Sequence, residues 1–358
     1  MKRNVAIIGS VGLPANYGGW ETLVEQITKS LGGAFNFTVY CSAKKYREKL
    51  NSFNGAELTY INLDANGVQS IFYDLVSMIK SMRNADALLI LGVSGCVFLP
   101  IIRWLGTAKL IVNIDGMEWR RGKWGRLAKW FLKLSEGVAV RFADFVVTDN
   151  QAIADYVKAA YGRDSVLIPY GGDHASCSPL NLSEEYSFIR RPYAFKVCRI
   201  EPENNIDVIL SAFRFYDAID LVIVGNWSNS GYGVALREAY QGVKHIHLLD
   251  PIYDPDKLNC LRTSCRLYLH GHGAGGTNPS LVEAMHLGLA VLAFDCVFNR
   301  ETTEDSAWYF RDSEELCTRL KSLSSDDLIA LCRRMKEIAD RRYTWEIVAL
   351  QYSNLFLV

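Results

Sequence analysis

A chain of 358 residues is too long for one compact core and predicts two domains of ordinary size. Hydrophobic residues make up 49% of the chain and charged residues 22%, a composition that excludes an intrinsically disordered protein. Lysine plus arginine and aspartate plus glutamate both total 39, so no global positive field attracts nucleic acid, and we expect no nucleic-acid partner.

The nine cysteines are odd in number and include no C-x-x-C pair, which predicts small, reduced core residues rather than a disulfide framework. The longest uncharged run, residues 87–102, spans 16 residues and contains two glycines and a proline, so it is too short to cross a bilayer. The chain enters a predicted strand at residue 5, which leaves no room for a signal peptide. We therefore expect a cytoplasmic protein.

Short apolar runs alternate with segments of helical periodicity along the whole chain, a pattern typical of parallel α/β sheets. The first half predicts strands at residues 5–9, 38–41, 58–62, 88–91, 110–114, 145–148 and 166–168, with helices that include 21–31, 71–82, 126–142 and 152–160. The second half predicts strands at 194–197, 221–224, 245–248, 267–270 and 291–294, and a helical tail over 326–342 and 345–356. The predicted fold class is α/β with two doubly wound domains, whose ligands bind where the strands end.

These elements divide the chain into four parts. Residues 1–172 form a first Rossmann-like domain, and the turn-rich segment 173–192 is the best linker candidate. Residues 193–340 form a second Rossmann-like domain, and residues 341–358 form a C-terminal helix.

Residues 276–285, GTNPSLVEAM, describe a glycine loop that runs into a helix. Asn278 is a candidate helix cap, and Pro279 suits the first helical position because its missing N–H costs nothing there. The free N–H groups of the first turn and the helix dipole favour a bound anion. Glu283 follows one turn deeper on the same face, where it can accept hydrogen bonds from a diol such as a ribose. A diphosphate at the helix tip and a ribose behind it predict a nucleotide-sugar site.

Several motifs in order resemble glycosyltransferase family 4. Residues 273–285 and 288–293 resemble the donor site of that family, and residues 12–22, 113–119 and 199–205 resemble a branch with a rhamnosyltransferase-type N-terminal domain. The resemblance implies the GT-B fold, in which two Rossmann-like domains face each other across a cleft and the C-terminal helix crosses back to the N-terminal domain. It also implies a retaining, metal-independent enzyme without a cofactor.

Arg199 follows a predicted strand, so its guanidinium can bind a phosphate, although a surface arginine paired with Glu201 or Glu203 is the alternative. The match to the Arg-x-x-x-x-Lys pattern of the family favours the phosphate role. The fifth residue after Arg199 is Asn204, however, so one family cation is missing. Gly275 stands where the family has a glutamate, so an acidic contact to the donor sugar is also missing. The implied donor-binding residues are Gly18, Gly19, Asn204, Gly275, Gly276, Thr277, Asn278 and Ser280, with His270 and His272 nearby.

The first predicted domain supplies candidate acceptor residues. Gly18 and Gly19 open a helix, but the segment does not fit G-x-G-x-x-G and predicts no dinucleotide site. Glu21, in the first helical turn, either complements the helix dipole or contacts an acceptor hydroxyl. Glu118 lies in one of the family motifs and is a second acceptor-binding candidate. Asp115 ends a predicted strand, where it either forms a turn or, as we favour, orients substrate hydroxyls; with Arg199 and Glu283 it completes the predicted catalytic set.

Residues 119–133 carry six cations and three tryptophans and no acid. An apolar stripe of Leu127, Phe131, Leu134 and Val138 is expected to pack on the sheet, which would make the basic face an ordinary solvated surface. The alternative is a surface that meets anionic lipid headgroups and a pyrophosphate-linked acceptor. The basic and aromatic residues are Trp119, Arg120, Arg121, Lys123, Trp124, Arg126, Lys129, Trp130 and Lys133.

The sequence therefore predicts a retaining glycosyltransferase that adds a sugar to a lipid-linked glycan of a bacterial surface polysaccharide, such as an O-antigen or a capsule. The resemblance to the rhamnosyltransferase branch favours L-rhamnose from dTDP-rhamnose, and hexoses from UDP donors remain open. Such an enzyme would work in the cytoplasm, peripherally on the inner face of the membrane. The alternatives are a sugar-nucleotide epimerase of the same fold and a non-catalytic glycosyltransferase-like subunit.

Overall fold

The computed structural model describes residues 2–15, 18–120, 122, 124–176 and 180–358. The chain forms two compact units. The first extends to Tyr170 and includes the C-terminal segment Trp345–Val358, while the second is Gly171–Thr344. The segment 173–192, predicted as a linker, belongs to the second unit.

The first unit is built on one sheet. Its strands are β1 (Asn4–Ile8), β2 (Asn36–Ser42), β3 (Ser52–Phe53), β4 (Ala56–Ile61), β5 (Ala87–Leu91), β6 (Lys109–Asn113), β7 (Phe145–Thr148) and β8 (Val166–Leu167). They lie in the order β3-β4-β2-β1-β5-β6-β7-β8. The central strand β5 is buried along its whole length, as expected for a parallel strand covered on both faces.

The second unit is built on another sheet. Its strands are β9 (Tyr193–Val197), β10 (Asp220–Val224), β11 (Ile246–Leu249), β12 (Leu267–His270), β13 (Val291–Phe294) and β14 (Trp308–Phe310). They lie in the order β11-β10-β9-β12-β13-β14, and each neighbouring pair is parallel. This order is that of the Rossmann fold, and it reverses direction between β9 and β12.

Helices connect the strands in both units. In chain order they are α1 (Gly19–Leu31), α2 (Gln69–Ser81), α3 (Leu99–Leu105), α4 (Arg126–Phe142), α5 (Gln151–Tyr161), α6 (Ile206–Arg214), α7 (Gly231–Tyr240), α8 (Pro255–Thr263), α9 (Pro279–His286), α10 (Val297–Thr302), α11 (Ser313–Ser322), α12 (Ser325–Arg342) and α13 (Trp345–Leu357). Short 3-10 helices occupy Cys96–Phe98, Glu118–Arg120, Ser187–Arg190 and Pro202–Asn204.

The last helix, α13, packs against α1 in the first unit. The hydroxyl of Tyr352 accepts a hydrogen bond from Asn113 Nδ2 at 2.9 Å, and Arg3 Nη1 donates to the Phe356 carbonyl at 2.8 Å. The expected return of the C-terminal helix is thus confirmed. The helix begins at Trp345 rather than at residue 341, because α12 continues to Arg342.

The sequence pattern identified the central strands but not two short strands at the sheet edges. The strand β3 has two residues and β14 has three, so neither offers a periodic pattern of useful length. The strand β14 forms because Leu292 and Ala293 of β13 pair with Trp308 and Tyr309. Edge strands of this length depend on the sheet already formed beside them.

Candidate functional site

The loops that follow β9 and β12 leave the second sheet where its strand order reverses. Ligands of doubly wound sheets bind at this point, beyond the carboxyl ends of the strands. Asn204 Nδ2 donates to the Arg199 carbonyl at 2.8 Å, and its Oδ1 accepts from His272 Nδ1 at 2.8 Å. Asn205 Nδ2 donates to the Gly271 carbonyl, also at 2.8 Å. The Asn204 side chain, a predicted donor-binding group, is therefore buried and holds the two loops together.

Two glycines allow these loops to approach closely. A Cβ atom on Gly271 would lie 2.3 Å from the Asn204 carbonyl oxygen, well inside van der Waals contact. The Gly273 N–H donates to the Glu203 carbonyl at 2.8 Å. The glycines that precede α9 therefore have a packing function besides any contact with a ligand.

The start of α9 has the capped geometry that the sequence predicts. Asn278 Oδ1 accepts from the Ser280 N–H at 3.1 Å and from the Ser280 hydroxyl at 2.8 Å, and Pro279 is the first helical residue. Gly275 has a φ of 101°, which favours glycine, while Gly276 is half-buried and Thr277 is buried. The N–H groups of Leu281 and Val282 also donate to Asn278, through its carbonyl oxygen, so the expectation of free N–H groups in the first turn is wrong. The helix dipole still makes this helix end favourable for an anion.

The carboxylate of Glu283 is held by two basic side chains. Its Oε2 lies 2.8 Å from Arg262 Nη1, and its Oε1 lies 3.3 Å from His174 Nε2. Burial raises the pKa of the Glu283 carboxyl, but Arg262 and His174 outweigh burial, and the net pKa is lowered. Glu283 is therefore ionised at neutral pH, and its remaining lone pairs can accept hydrogen bonds from a diol.

Sequence reasoning missed Arg262 and His174. Arg262 lies on α8 and is 2% exposed, and its guanidinium also donates to Asn259 Oδ1 at 3.3 Å. A signal did exist, because a buried carboxylate such as Glu283 requires a cation or several donors. Positions 174, 262 and 283 are too far apart in the chain for sequence periodicity to relate them. The sequence therefore could not identify which cation pairs with Glu283.

Arg199 is exposed and forms no ion pair among the described residues. The alternative in which it pairs with Glu201 or Glu203 is thus not what the structure shows. Its backbone carbonyl accepts a hydrogen bond from Asn204, just after the end of β9. Arg199 is available to an anionic ligand at this edge.

In the first unit, Glu21 fixes the loop that follows β1. It is 6% exposed, and its Oε1 accepts from the Val11 N–H at 2.6 Å. Gly18 has a φ of 130°, and a Cβ atom there would lie 2.1 Å from Glu21 Oε2. Gly19 is the first residue of α1. Burial raises the pKa of Glu21, and the contacts of its side chain indicate a role in shaping this loop. The neighbouring positions 16 and 17 lie outside the described residues.

Asp115 and Glu118 follow β6. Asp115 has a φ of 52°, a left-handed conformation that is uncommon for residues other than glycine, and its N–H donates to Asn113 Oδ1 at 3.2 Å. Such strained positions are found often at functional sites. Glu118 accepts a hydrogen bond from Trp124 Nε1 at 3.0 Å, which fixes the short helix in which it lies.

Among the described residues of the basic segment after Glu118, Arg120 and Lys133 lie over aromatic rings of the first unit; the Arg120 guanidinium is 5.1 Å from the centre of the Trp119 ring. The Lys133 ammonium lies 4.7 Å from the ring centres of Trp119 and Tyr156 and 3.2 Å from Glu136 Oε1. Lys133 is therefore engaged within the first unit. Arg121 and Lys123 lie outside the described residues.

The helix α4 packs on a different face from the one predicted. Leu127 is 85% exposed and Leu134 is 44% exposed, so the expectation that they pack on the sheet is wrong. The buried face is formed by Leu132, Ser135, Glu136, Ala139 and Val140. Because the helix buries Ser135 and Glu136, whose Oγ and Oε1 atoms form hydrogen bonds inside the unit, hydropathy alone selected the wrong stripe.

Among the described residues, no group of three or more His, Cys, Asp or Glu side chains could hold a metal ion. No helix in the described ranges is long and apolar enough to span a bilayer.

Comparisons with known families match both halves of the chain. Residues 184–342 match the family Glycosyl transferases group 1, and residues 2–173 match a domain of unknown function, DUF1972. The chain is 29% identical over 213 residues to a phosphatidyl-myo-inositol mannosyltransferase of Mycolicibacterium smegmatis, an alignment that covers 55% of this chain and 53% of that protein. The chain thus aligns with about half the length of the curated relatives it matches.

Solved structures are similar over the whole chain. A sucrose-phosphate synthase from Thermosynechococcus elongatus has a TM-score of 0.85 at 14% identity and covers 99% of this chain and 98% of its own. The Anabaena protein HepE, solved with UDP and glucose, has a TM-score of 0.78 at 14% identity and covers 99% of both chains. The chain therefore has the predicted GT-B fold, and its second unit contains a glycosyl transferases group 1 domain. The rhamnosyltransferase-type branch stays a prediction, since the curated relatives are named as mannosyltransferases.

Proposed function

We propose that this chain is a retaining, metal-independent glycosyltransferase that moves a sugar from a nucleotide-diphosphate donor to a lipid-linked glycan. The observation that carries the proposal is the set of groups at one end of the second sheet. The positive end of the α9 dipole lies at its capped start, Arg199 has no ion-pair partner among the described residues, and Glu283 is an ionised, largely buried carboxylate. These groups suit the diphosphate and the ribose of one ligand.

The reaction requires no other reactant. The bond between the sugar C1 and the β-phosphate oxygen breaks, and a bond between C1 and the acceptor oxygen forms on the same face of the sugar. The acceptor proton passes to the departing phosphate, and a nucleoside diphosphate leaves. Arg199 and the dipole of α9 stabilise the charge that develops on this phosphate, and a fixed donor such as Arg199 is typically worth about 100- to 1000-fold in rate.

The donor sugar that we propose is L-rhamnose from dTDP-rhamnose, on the basis of the motifs in the N-terminal half. Mannose is the competing sugar, because the curated relatives are named as mannosyltransferases. Gly275 removes the acidic contact that the family makes to the donor sugar, so the sugar would be recognised by backbone N–H groups at residues 275–277. This arrangement suits a deoxy sugar, which has fewer hydroxyl groups to satisfy.

The acceptor is proposed to bind at the carboxyl ends of β1 and β6 in the first unit. Asp115 is the residue there with a strained backbone and a half-buried side chain, and we assign it to acceptor hydroxyls. Glu118 is assigned to the same acceptor. Glu21 would act through the loop that it fixes, since its carboxylate already binds the Val11 N–H.

A lipid-linked acceptor implies work at the inner face of the cytoplasmic membrane, and two helices of the first unit support such a location. The helices α3 and α4 pack against each other, and each leaves three large apolar side chains exposed. The most exposed are Trp104 at 85%, Leu127 at 85% and Trp130 at 67%. We call this set the α3–α4 surface; it consists of Ile101, Trp104, Leu105, Leu127, Trp130 and Leu134.

The exposed charges carried by α3 and α4 are all positive. Arg126 and Lys129 lie on α4 and form no ion pair among the described residues. Arg103 on α3 is paired with Asp144 at 2.6 Å, and the one acid on these helices, Glu136, is buried. Exposed tryptophan and leucine side chains beside unpaired cations fit an anionic bilayer surface, into which the apolar groups insert while the cations meet lipid phosphates.

The proposed transfer is tested by supplying dTDP-rhamnose, UDP-glucose and GDP-mannose to the purified chain with a polyprenyl-pyrophosphate-linked sugar as acceptor. We expect glycosylated lipid and free nucleoside diphosphate to appear in equal amounts with one donor. A reaction without acceptor that yields an epimerised nucleotide sugar would favour the epimerase. If the chain bound none of the three nucleotide sugars, the proposed transferase activity would be refuted.

A further inference from the structure

One buried cation of the second unit belongs to no group described so far. Lys196 lies on the central strand β9 and is 1% exposed. It forms no ion pair with a carboxylate among the described residues. Burial lowers its pKa, since the charged ammonium is the form that loses most by leaving water. A buried lysine at this position lowers the stability of the fold, so we expect a function to account for it.

The Lys196 ammonium lies at the functional end of the sheet. Its Nζ is 3.1 Å from the point where a Cβ atom on Gly271 would stand, directly after β12. The carbonyl oxygen of Asn204 is 2.3 Å from the same point. The lysine therefore reaches the place where the loops after β9 and β12 meet, next to the residue that occupies the position of the missing family cation.

A second buried base adjoins it. His270, the last residue of β12, is 2% exposed, and its Nε2 forms no hydrogen bond among the described residues. Burial, Lys196 and His272 all lower the pKa of His270. Among the residues that the structure describes, the basic side chains of Lys196 and His270 below the glycine loop have no acidic side chain to neutralise them, and a bound anion would stabilise a positive charge there.

We propose that the buried Lys196 provides the positive charge that is missing because Asn204 stands where the family has a lysine. We propose that this charge stabilises the diphosphate of the bound donor. The inference rests on the proposed nucleotide-sugar site. Lys196 acts as a positioning residue: its charge favours the diphosphate, while Arg199 makes the direct contact. In the free protein the same charge destabilises the fold, because no counter-ion is present.

The test is Lys196→Met, which keeps the length and volume of the side chain and removes the charge. The probe is whichever of dTDP, UDP and GDP binds the wild type most tightly by calorimetry, together with the corresponding nucleoside. We expect the variant to melt at a higher temperature than the wild type. We also expect it to bind the nucleoside diphosphate about 10- to 100-fold more weakly, with nucleoside affinity unchanged.

Two further variants make the outcome decisive. Lys196→Gln tests the same loss of charge with a polar side chain, in case methionine does not fold. Lys321→Met removes an equal charge from an exposed site of the same unit and should leave both affinities unchanged. Equal diphosphate affinity in wild type and both Lys196 variants would overturn the inference while leaving the donor site intact. If the wild type bound no nucleoside diphosphate, both this inference and the proposed function would be refuted.

Discussion

The guanidinium of Arg262 lies 2.8 Å from the carboxylate of Glu283, and the two residues come from different helices, α8 and α9. Arg262 is almost fully buried, so removing Glu283 would leave a buried guanidinium without its ion-pair partner, and removing Arg262 would leave Glu283 with His174 alone. This pair joins α8 to α9 within the second unit. The residue assigned to the ribose is therefore also a structural residue.

The first prediction separates these two roles of Glu283. Removing one partner of a buried ion pair typically costs about 3–5 kcal/mol, whereas replacing both with neutral residues costs much less. We expect Arg262→Met and Glu283→Gln each to lower the free energy of unfolding, and the double variant to recover part of the loss. Urea denaturation of the four proteins gives the coupling energy. Additive losses would show that the two side chains act independently.

The second prediction concerns Arg199. Because its side chain is exposed and has no ion-pair partner among the described residues, Arg199→Gln should leave the melting temperature unchanged. Loss of one donor to the leaving phosphate should lower kcat by about 100- to 1000-fold. Glu201→Gln is the matched control on the same loop and should retain activity. A rate within threefold of the wild type for Arg199→Gln would remove this residue from the proposed mechanism.

The capped start of α9 was predictable from sequence, because asparagine followed by proline is a local signal for a helix beginning. The doubly wound order of both sheets followed from alternating strand and helix patterns in the same way. The partners of Glu283 and the position of Lys196 were not predictable, since they depend on strands and helices that are distant in sequence. The exposed face of α4 was predicted wrongly because Glu136, a charged residue, lies on the buried side.

The third prediction tests the contact between the loops of the second unit. Gly271→Ala would place a Cβ atom 2.3 Å from the Asn204 carbonyl oxygen, and backbone atoms cannot give way as a flexible side chain does. We expect the variant to be less stable and to bind nucleoside diphosphate poorly. Gly242→Ala, where a Cβ atom meets open space, is the control. Differential scanning calorimetry with and without nucleotide would reveal both effects; an unchanged Gly271→Ala variant would argue against the close packing.

The fourth prediction is a pH dependence in the first unit. Burial raises the pKa of Asp74 to about 8, against the lowering effect of its hydrogen bond from the Gly95 N–H. The unfolded chain ionises this group near pH 4, so the stability of the folded state falls as the pH rises from there to about 8. Asp74→Asn keeps an oxygen for the Gly95 N–H and carries no proton to lose. We expect the variant to be more stable than the wild type at pH 8 and to lack the decline, as urea denaturation between pH 5 and 8 would measure; parallel curves for the two proteins would contradict it.

Chelation provides a fifth prediction. In the proposed mechanism Arg199 and the dipole of α9 oppose the charge on the leaving phosphate, so EDTA should not reduce transfer. Activity lost with EDTA and restored by Mg²⁺ or Mn²⁺ would show that a metal ion takes part. The assay uses the donor selected by the panel, at fixed ionic strength.

The α3–α4 surface gives the last prediction. Flotation with anionic liposomes should carry the wild type upward at low salt, since each cation near such a surface contributes about 1 kcal/mol. Binding should weaken at 1 M salt, where the screening length is about 3 Å, but the inserted apolar groups should retain a fraction of the protein on the liposomes. Two variants separate the contributions. Arg126→Gln with Lys129→Gln should remove the salt-dependent part, and Trp104→Ser with Trp130→Ser should remove the part that resists salt.

Neither pair of changes lies at the donor site, so nucleotide affinity should be the same in all three proteins and serves as the control for folding. Neutral liposomes should bind the wild type less well than anionic ones, because the charge contribution is then absent. If the wild type stayed at the bottom of the gradient with anionic liposomes, or if the tryptophan variant floated as well as the wild type, these exposed side chains would not be a membrane-binding surface. A concentration-dependent dimer that the tryptophan variant abolishes would instead assign the α3–α4 surface to a second copy of the chain.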